Sequence, residues 1–255
     1  MPELDLQEQF RPPDNLPPGH LWLGRVLFAL RPWLDLQVGS VLLPLIPWLR
    51  GRRGKVLEVG CGAQPYRHFL SDASVYRCLD WSGAEPYFNY ATPDTERYHG
   101  ERFPVEDGWA EHVFHTEVLE HVWDMPGFLA ECRRVMAAGG SLFFTIPFQA
   151  RYHYIPHDYW RCTPAALERM LREAGFQDVQ ITSRGTDVTV AIYKVVSVVY
   201  RLLLSKQWVN TAIGIVLLPL LVTGLVLGQI SLRSRWGSTD DTLGYVITAS
   251  VASSQ

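Results

Sequence analysis

A glycine-containing loop at residues 60–62 is the part of the chain best suited to bind a ligand. The apolar run Val56–Val59 leads into this loop, where little side-chain bulk separates the backbone from a ligand. Eighteen residues after Gly62, a second apolar run, Val75–Leu79, ends in Asp80. A carboxylate there can accept hydrogen bonds from both hydroxyls of a ribose. The two features together predict a nucleoside site.

This loop differs from the loops that bind nucleotide phosphates. The dinucleotide fingerprint has a third glycine, which is missing here at the expected place. No lysine follows the loop in the position that a P-loop requires. A nucleoside without a polyphosphate is therefore the expected type of ligand.

A second concentration of polar and aromatic side chains lies at residues 153–161, with the sequence His-Tyr-Ile-Pro-His-Asp-Tyr-Trp-Arg. Aromatic faces stack on sugars, and an arginine can hold a phosphate or a carboxylate. We therefore expect a loop that binds an acceptor substrate. Its candidate contacts are His153, Asp158, Tyr159 and Arg161.

Two other interpretations of this loop remain open. Asp158 and Arg161 equally suit a structural ion pair that fixes the loop. A metal held by His153, His157 and Asp158 is a further alternative. Ligand spacing in a loop is weak evidence and no fourth ligand is apparent, so the sequence predicts no metal site.

Strand-like and helix-like runs alternate through the middle of the chain, which predicts a doubly wound, mostly parallel sheet. Thr163 before Pro164 is a typical helix start, and Gly175 a typical helix end. The predicted strands lie near 55–60, 75–80, 96–99, 111–116, 140–146 and 177–184. The predicted helices of the same region lie near 64–71, 125–137 and 164–174.

Four blocks in order resemble class I S-adenosylmethionine-dependent methyltransferases of the type 11 branch, over roughly residues 55–182. The blocks are Val56–Gly62, Leu79–Asp80, Phe114–Val122 and Arg134–Pro147. The resemblance implies a seven-stranded Rossmann-like sheet whose last strand, within Thr242–Ala252, pairs with the sixth. It also implies an enzyme whose cofactor is S-adenosyl-L-methionine.

The resemblance assigns roles to particular residues. In this branch a Gly-Asp pair often ends the third strand, whereas this chain has Gly100-Glu101, so Glu101 is expected to substitute near the adenine. His121 and His157 are candidates for a base that removes a proton from an acceptor hydroxyl. For His121 a structural hydrogen-bonding role is favoured, because the block around it recurs in the family across different chemistries. The implied cofactor contacts are Glu58, Gly60, Cys61, Gly62, Asp80, Trp81, Glu101 and Glu117.

Composition limits the partners of the protein. The net charge of −3 and the pI of about 6.2 argue against the basic face that nucleic-acid binding needs. The four cysteines are scattered with no C-x-x-C pair, which indicates a reducing compartment. The acidic start lacks the basic region of a secretory signal, so a cytoplasmic location is expected.

Residues 185–240 are predicted to be a hydrophobic helical insertion before the last strand. Within it, residues 207–232 contain no charged side chain, and as one straight helix they would be about 39 Å long, enough to cross a bilayer. A helix is also predicted over Val188–Lys206. Polar residues at helical spacing form one stripe along that helix: Lys194, Ser197, Arg201 and Ser205.

The topology restricts how this insertion can meet a membrane. If the strands on either side of it pair, both of its ends lie on one side, and a single crossing is impossible. We therefore favour a helical hairpin that enters or lies on the inner face of the cytoplasmic membrane. Packing on the protein's own apolar surface, or on a dimer partner, is the alternative.

Three units are thus expected along the chain. Residues 1–54 form an N-terminal arm and apolar helices, residues 55–184 with 241–255 form the methyltransferase core, and residues 185–240 form the insertion.

The blocks Phe103–Asp107 and Asp158–Pro164 resemble bacterial members often associated with glycan or envelope biosynthesis. The expected reaction is methyl transfer to a hydroxyl of a glycan or lipid-linked envelope precursor. The alternatives are O-methylation of an apolar small molecule such as a quinone precursor, and a non-catalytic membrane scaffold that binds the cofactor.

Overall fold

The structure, a computed structural model, describes residues 16–18, 22–84, 94–100, 102–234 and 236–253. A seven-stranded sheet with the strand order β3-β2-β1-β4-β5-β7-β6 lies at its centre. β7 is antiparallel to both of its neighbours, whereas the other pairs are parallel. The strands are β1 (Gly54–Val59), β2 (Ser74–Trp81), β3 (Glu96–Tyr98), β4 (Ala110–Thr116), β5 (Met136–Pro147), β6 (Gln177–Ser183) and β7 (Gly244–Ser250).

The predicted fold class is confirmed, and the physical reason is visible in the strands. β1 and β4 are central strands, and residues 56–59 of β1 and 113–115 of β4 are buried. Because these strands are parallel to β2, their carboxyl ends meet at one edge of the sheet, where open α/β sheets bind ligands.

Seven helices are described, and most surround this sheet. Thr163 caps α4 with its side chain, as its position before Pro164 predicts. The helices are α1 (Trp22–Leu34), α2 (Leu36–Arg50), α3 (Met125–Val135), α4 (Pro164–Glu173), α5 (Asp187–Leu203), α6 (Trp208–Val216) and α7 (Leu218–Ser234).

The predicted helix near 64–71 is wrong. Only a short 3-10 turn, Arg67–Phe69, forms there. Gln64 has a left-handed backbone with φ of 54°, and Pro65 follows it. A residue before proline is disfavoured in the α-helical region, so the chain cannot enter a helix directly from the glycine loop.

The two faces of the sheet have different covers. On one face, α3 and α4 bury side chains such as Leu129 and Leu167 in the larger core. On the other face, α2 buries Leu42 and Leu45 with Phe143 of β5. The N-terminal helix α2 therefore contributes to the core of the sheet.

The insertion packs on the N-terminal helices through small and polar side chains. The Gln229 amide of α7 donates hydrogen bonds of 2.8 and 2.9 Å to the carbonyl oxygens of Pro32 and Trp33. A Cβ atom at Gly228 would lie 2.6 Å from the Leu36 side chain, so only glycine allows this approach. Helices α1, α2, α5 and α7 thus form one helical layer beside the sheet.

The outward faces of this layer are apolar. Trp22 of α1, and Trp208 and Val216 of α6, are 73–81 % exposed, and most of the exposed large apolar side chains of the described residues belong to α1 or to residues 195–236. Within the described ranges, no single helix has both the length and the apolar character to cross a bilayer. Two bent pairs, α1 with α2 at 105° and α6 with α7 at 57°, meet those criteria only jointly.

Candidate active site

The glycine loop and Asp80 meet at the carboxyl ends of β1 and β2. The Asp80 carboxylate is buried and accepts a hydrogen bond of 3.1 Å from the Gly62 amide and one of 2.9 Å from the Trp81 amide. Gly60 has a φ of 70°, and a Cβ atom there would lie 2.5 Å from the Val118 side chain. The backbone of the loop, rather than side chains, therefore shapes this end of the site.

Glu58 lies beneath the loop and is almost fully buried. Burial raises the pKa of its carboxyl group to about 8, although a hydrogen bond from the Tyr76 hydroxyl opposes that shift. Glu58 is therefore protonated over much of the neutral pH range unless a cationic group of a ligand stabilises its charge.

One cavity of about 1160 Å³ joins most of the predicted site residues. Its cofactor end is lined by Glu58, Gly60, Cys61, Gly62, Asp80 and Trp81, and its walls include Glu117, His121, His153, His157 and Tyr159. Glu101 lies outside the described residues, whereas its neighbour Gly100 lines the cavity. The residues predicted from two separate parts of the sequence thus share one space.

Glu117 stands where β4 ends, with a left-handed backbone φ of 52°. Its carboxylate lies 3.0 Å from the buried Arg184 guanidinium, which also donates to the Ile146 carbonyl oxygen. Arg184 follows β6, so its contacts connect the carboxyl ends of β4, β5 and β6 next to the cavity.

Residues 153–161, the acceptor loop, are hydrogen-bonded to the turn Leu119–His121. The amides of Tyr159 and Trp160 both donate to the Glu120 carbonyl oxygen, at 2.9 and 3.3 Å. The Trp160 indole donates to the Val122 carbonyl oxygen at 3.0 Å. These bonds hold the acceptor loop against the end of β4.

Asp158 and Arg161 form a bidentate pair, with N–O distances of 2.6 and 2.7 Å. Although burial opposes ionisation, hydrogen bonds from His153 and Arg161 lower the pKa of Asp158 below its ordinary value. Arg161 also donates to the Arg151 and Trp160 carbonyl oxygens. Of the two alternatives left open by the sequence, the described contacts of Arg161 are those of a structural pair.

His157 stands at the exposed side of the loop. Its ring lies 5.7 Å from the Trp81 ring, edge to face, and its Nδ1 atom lies 2.8 Å from the Tyr159 hydroxyl. His157 and Trp81 therefore bring the acceptor loop to the mouth of the cofactor end.

Comparison with known proteins identifies the domain. Residues 57–144 match the family model described as Methyltransferase domain, Methyltransf_11. A probable S-adenosylmethionine-dependent methyltransferase of Mycolicibacterium smegmatis is 28 % identical over 132 residues, which cover 48 % of this chain and 51 % of that protein. Residues 57–144 thus form an S-adenosylmethionine-dependent methyltransferase domain of the type 11 branch.

Two further similarities extend this result. The ubiquinone biosynthesis O-methyltransferase of Thiobacillus denitrificans is 26 % identical over 166 residues, covering 55 % of this chain and 72 % of that protein. The crystal structure of a SAM-dependent methyltransferase from Archaeoglobus fulgidus matches with a TM-score of 0.51 at 16 % identity, over 89 % of this chain and 99 % of that one. That structural likeness concerns the fold. The chain spans about half the length of the Mycolicibacterium relative.

The cofactor end of the methyltransferase domain fits S-adenosylmethionine. Gly60, Cys61 and Gly62 line the cavity, and at Gly60 a Cβ atom would collide with the Val118 side chain. Asp80 is held at the cavity wall by two backbone amides and retains acceptor capacity for ribose hydroxyls. Glu58 and Glu117 also line the cavity, and a carboxylate suits the amino group of the cofactor.

An unusual carboxyl group lies next to the end of the cavity that is lined by the 153–161 loop, which we call the acceptor end. Glu120 is completely buried, and its two oxygens accept no hydrogen bond from any described residue. Burial and the nearby Glu117 charge raise its pKa well above the ordinary value. Burial, with a contribution from His153, lowers the pKa of the neighbouring His121 to about 4, so His121 is a weak base in this state.

The sequence analysis did not assign a role in the site to helix α5. Lys194, Ser197 and Arg201, three members of the predicted polar stripe, line the same cavity as Asp80. Leu27 and Arg31 of α1 line the same region. The helical spacing of the stripe was a usable signal, but only the packing of α5 shows that the stripe faces a ligand space.

Proposed function

We propose that the protein transfers a methyl group from S-adenosylmethionine to a hydroxyl group of a glycan or a lipid-linked envelope precursor. The observation that carries this proposal is one cavity lined by the glycine loop, by residues of the 153–161 loop and by side chains of α1 and α5. Such a space accommodates an acceptor with a polar head and a long apolar part.

Different residues along this cavity bind the cofactor and orient the acceptor. Bound S-adenosylmethionine supplies a methyl group that the sulfonium charge already activates. Asp80 and the glycine loop fix the nucleoside, whereas Tyr159 and His157 orient the acceptor at the mouth. Positioning and exclusion of water are the main tasks of the chain, because alignment accounts for a large part of the rate in such displacements.

Two cations on α5 favour an acceptor with an anionic head. Lys194 and Arg201 line the cavity two helical turns apart, and within the described residues neither forms an ion pair shorter than 4.0 Å. Burial and the charges of Arg161 and Arg201 lower the pKa of Lys194, although Asp241 opposes the shift. A phosphate or carboxylate on the acceptor would relieve this concentration of positive charge.

The apolar surface of α1, α6 and α7 suits contact with the inner face of the cytoplasmic membrane. Trp208 and Val216 belong to the charge-free run and are among the most exposed apolar side chains. Burying such side chains in the interfacial region of a bilayer is favourable by about 25 cal/mol per Å². The gap between α1 and α5 lies in the same helical layer, so an acceptor can enter it from the lipid.

A quinone precursor is a second candidate acceptor. The similarity to a ubiquinone biosynthesis O-methyltransferase favours it, as do apolar cavity residues such as Leu34 and Val198. A quinone precursor carries a hydroxylated ring and an apolar tail, which also suit a cavity with one polar and one apolar end.

The test is a methyl-transfer assay with radiolabelled S-adenosylmethionine and bacterial membrane lipids. The purified full chain is incubated with glycolipid and quinone fractions separately, and the labelled products are identified by mass. Label in a lipid-linked glycan supports the proposal, and label in a quinone precursor supports the second candidate. The Asp80→Asn variant is the control for background.

A third outcome would reject both candidates. If calorimetry shows tight binding of S-adenosylmethionine while no fraction gains label, the protein acts as a cofactor-binding scaffold.

A further inference from the structure

Glu120 is a buried residue whose carboxyl group has no hydrogen-bond partner among the described residues. Its side chain is 0 % exposed, and neither carboxylate oxygen accepts a hydrogen bond from any residue in the described part of the chain. An unpaired buried carboxylate is costly, because it loses water without gaining a compensating cation or donor. The position therefore suits a carboxylate that binds a cation.

Two histidines face this carboxylate. One nitrogen of His121, one nitrogen of His153 and one oxygen of Glu120 all lie within 4.8 Å of one another. The His121 Nε2 atom is 3.6 Å from Glu120 Oε1. Residues that are 33 positions apart in the sequence thus converge at one point.

A backbone carbonyl oxygen orients the ring of each histidine. His121 Nδ1 lies 2.7 Å from the His157 carbonyl oxygen, and His153 Nδ1 lies 2.9 Å from the Arg151 carbonyl oxygen. A carbonyl oxygen only accepts, so each Nδ1 atom carries the proton and each neutral ring keeps a lone pair on Nε2. This arrangement of a ring nitrogen held by a carbonyl is typical of histidines that ligate metals.

We propose that Glu120, His121 and His153 bind one divalent transition-metal ion at the acceptor end of the cavity. Ligand atoms of a tetrahedral zinc site lie about 3.3 Å apart, as bond lengths near 2.0–2.2 Å require. Small side-chain movements close the cluster around such an ion. Two imidazoles and one carboxylate are the ligands of catalytic zinc and of mononuclear iron sites, whereas magnesium and calcium prefer oxygen ligands alone.

The alternative set considered from the sequence, His153, His157 and Asp158, has a different role here. Asp158 is engaged by Arg161 and contacts His153 at 3.0 Å, and the His157 side chain pairs with Tyr159. Asp158 therefore helps to orient His153, whereas His157 supports the proposed ligands only through its backbone carbonyl oxygen.

Three protein ligands leave at least one coordination position open. His121 and His153 both line the cavity, so the open position faces the space for the acceptor. A hydroxyl group bound there would have a lower pKa. Its O–H bond breaks, the electron pair stays on the oxygen, and the proton passes to water in the open cavity. This chemical role rests on the proposed methyl transfer, whereas the metal site does not.

The first test measures metal binding by the full chain. The purified protein is stripped with a chelator and titrated by calorimetry with Zn²⁺ and with Mn²⁺, and the stoichiometry is checked by elemental analysis. We expect one ion per chain for at least one of the two metals. Glu120→Gln and His153→Asn should each weaken binding at least 100-fold, because the first removes the anionic ligand and the second removes the imidazole nitrogen.

His157→Asn is the matched control. It removes an imidazole from the same loop but keeps the carbonyl oxygen that orients His121. Metal binding should therefore survive in this variant. Stoichiometric binding that is unchanged by Glu120→Gln, or the absence of binding in the wild-type protein, would overturn the proposal. Circular dichroism establishes that each variant is folded, and the absorption spectrum of bound Co²⁺ gives a second reading of the ligand set.

The failure of this inference is distinguishable from the failure of the proposed function. Calorimetric binding of S-adenosylmethionine should be unchanged in Glu120→Gln, because the cofactor end does not involve this residue. Undiminished methyl transfer in the presence of a chelator would reject the metal role and keep the methyltransferase. Metal binding that depends on Glu120 without any methyl transfer would keep the site and reject the function.

Discussion

The two ends of the cavity are built in different ways. At the cofactor end, backbone amides and glycines define the space, and Asp80 is fixed by bonds to Gly62 and Trp81. At the acceptor end, side chains from a turn, a loop and a helix converge, and both Glu120 oxygens lack hydrogen-bond donors among the described residues. Asp80 at the first end accepts hydrogen bonds from two backbone amides, whereas Glu120 at the second end has no hydrogen-bond donor among the described residues.

This difference indicates which part of the site is general and which is specific. A site made by the backbone of a strand-to-helix turn can bind the same cofactor in many proteins. A site made by distant side chains determines the acceptor. Four predictions, given from the largest expected effect to the smallest, test this division.

Asp80→Ala should weaken the binding of S-adenosylmethionine at least 100-fold, about 2.7 kcal/mol, because two hydrogen bonds from ribose hydroxyls to a carboxylate are lost. Calorimetry with the folded variant measures the effect. Asp72→Ala, at an exposed turn before β2, is the control and should bind normally. An unchanged affinity in Asp80→Ala would remove the ribose contact from the model of the site.

Two buried carboxyl groups should give opposite pH dependences at the two ends. Glu58 has a raised pKa, so the native state holds its proton longer, and the free energy of unfolding should fall as the pH rises from about 4.5 towards 8. Asp158 has a lowered pKa, so its contribution is present above about pH 4 and is lost as the pH falls further.

Denaturant unfolding across this pH range measures both effects. Glu58→Gln should reduce the loss of unfolding free energy between pH 5 and 8 and leave the loss below pH 4 unchanged. Asp158→Asn should reduce the loss of unfolding free energy below pH 4 without changing the slope between pH 5 and 8. An equal slope between pH 5 and 8 in wild type and Glu58→Gln would show that Glu58 is already ionised.

Neutralising both cations of α5 should weaken the binding of the acceptor and leave the binding of the cofactor unchanged. Lys194→Met combined with Arg201→Met is expected to raise the KM for an anionic acceptor about 10-fold, while the affinity for S-adenosylmethionine stays the same. The exposed Lys206→Met is the control. Equal KM values for the double variant and wild type would mean that the acceptor carries no anion at this position.

Trp208→Ser should reduce partitioning onto anionic phospholipid vesicles about threefold. Its side chain is 81 % exposed, so the change removes interfacial contact area without disturbing the core. Vesicle sedimentation measures the effect, and Val75→Ser, which is exposed on β2, is the control. Equal loss of binding in both variants would contradict a membrane contact through α6.

The sequence by itself determined the sheet and the cofactor end. Alternating strands and helices require parallel strands whose carboxyl ends meet, and Gly60, Gly62 and Asp80 stand where two of those strands end. Each of these signals is local, because backbone hydrogen bonding and the need for a left-handed turn act over a few residues. The helix expected near 64–71 failed for an equally local reason, the conformation of Gln64 before Pro65.

Only the tertiary structure decided the acceptor end. The stripe on α5 was visible as a pattern, but whether it faced water, lipid or a cavity depended on how α5 packs against α1 and α7. Glu120 and His153 become neighbours because the loop after β5 folds back onto the turn after β4. Contacts between residues so distant in sequence depend on packing and loop closure, which no local pattern of residues encodes.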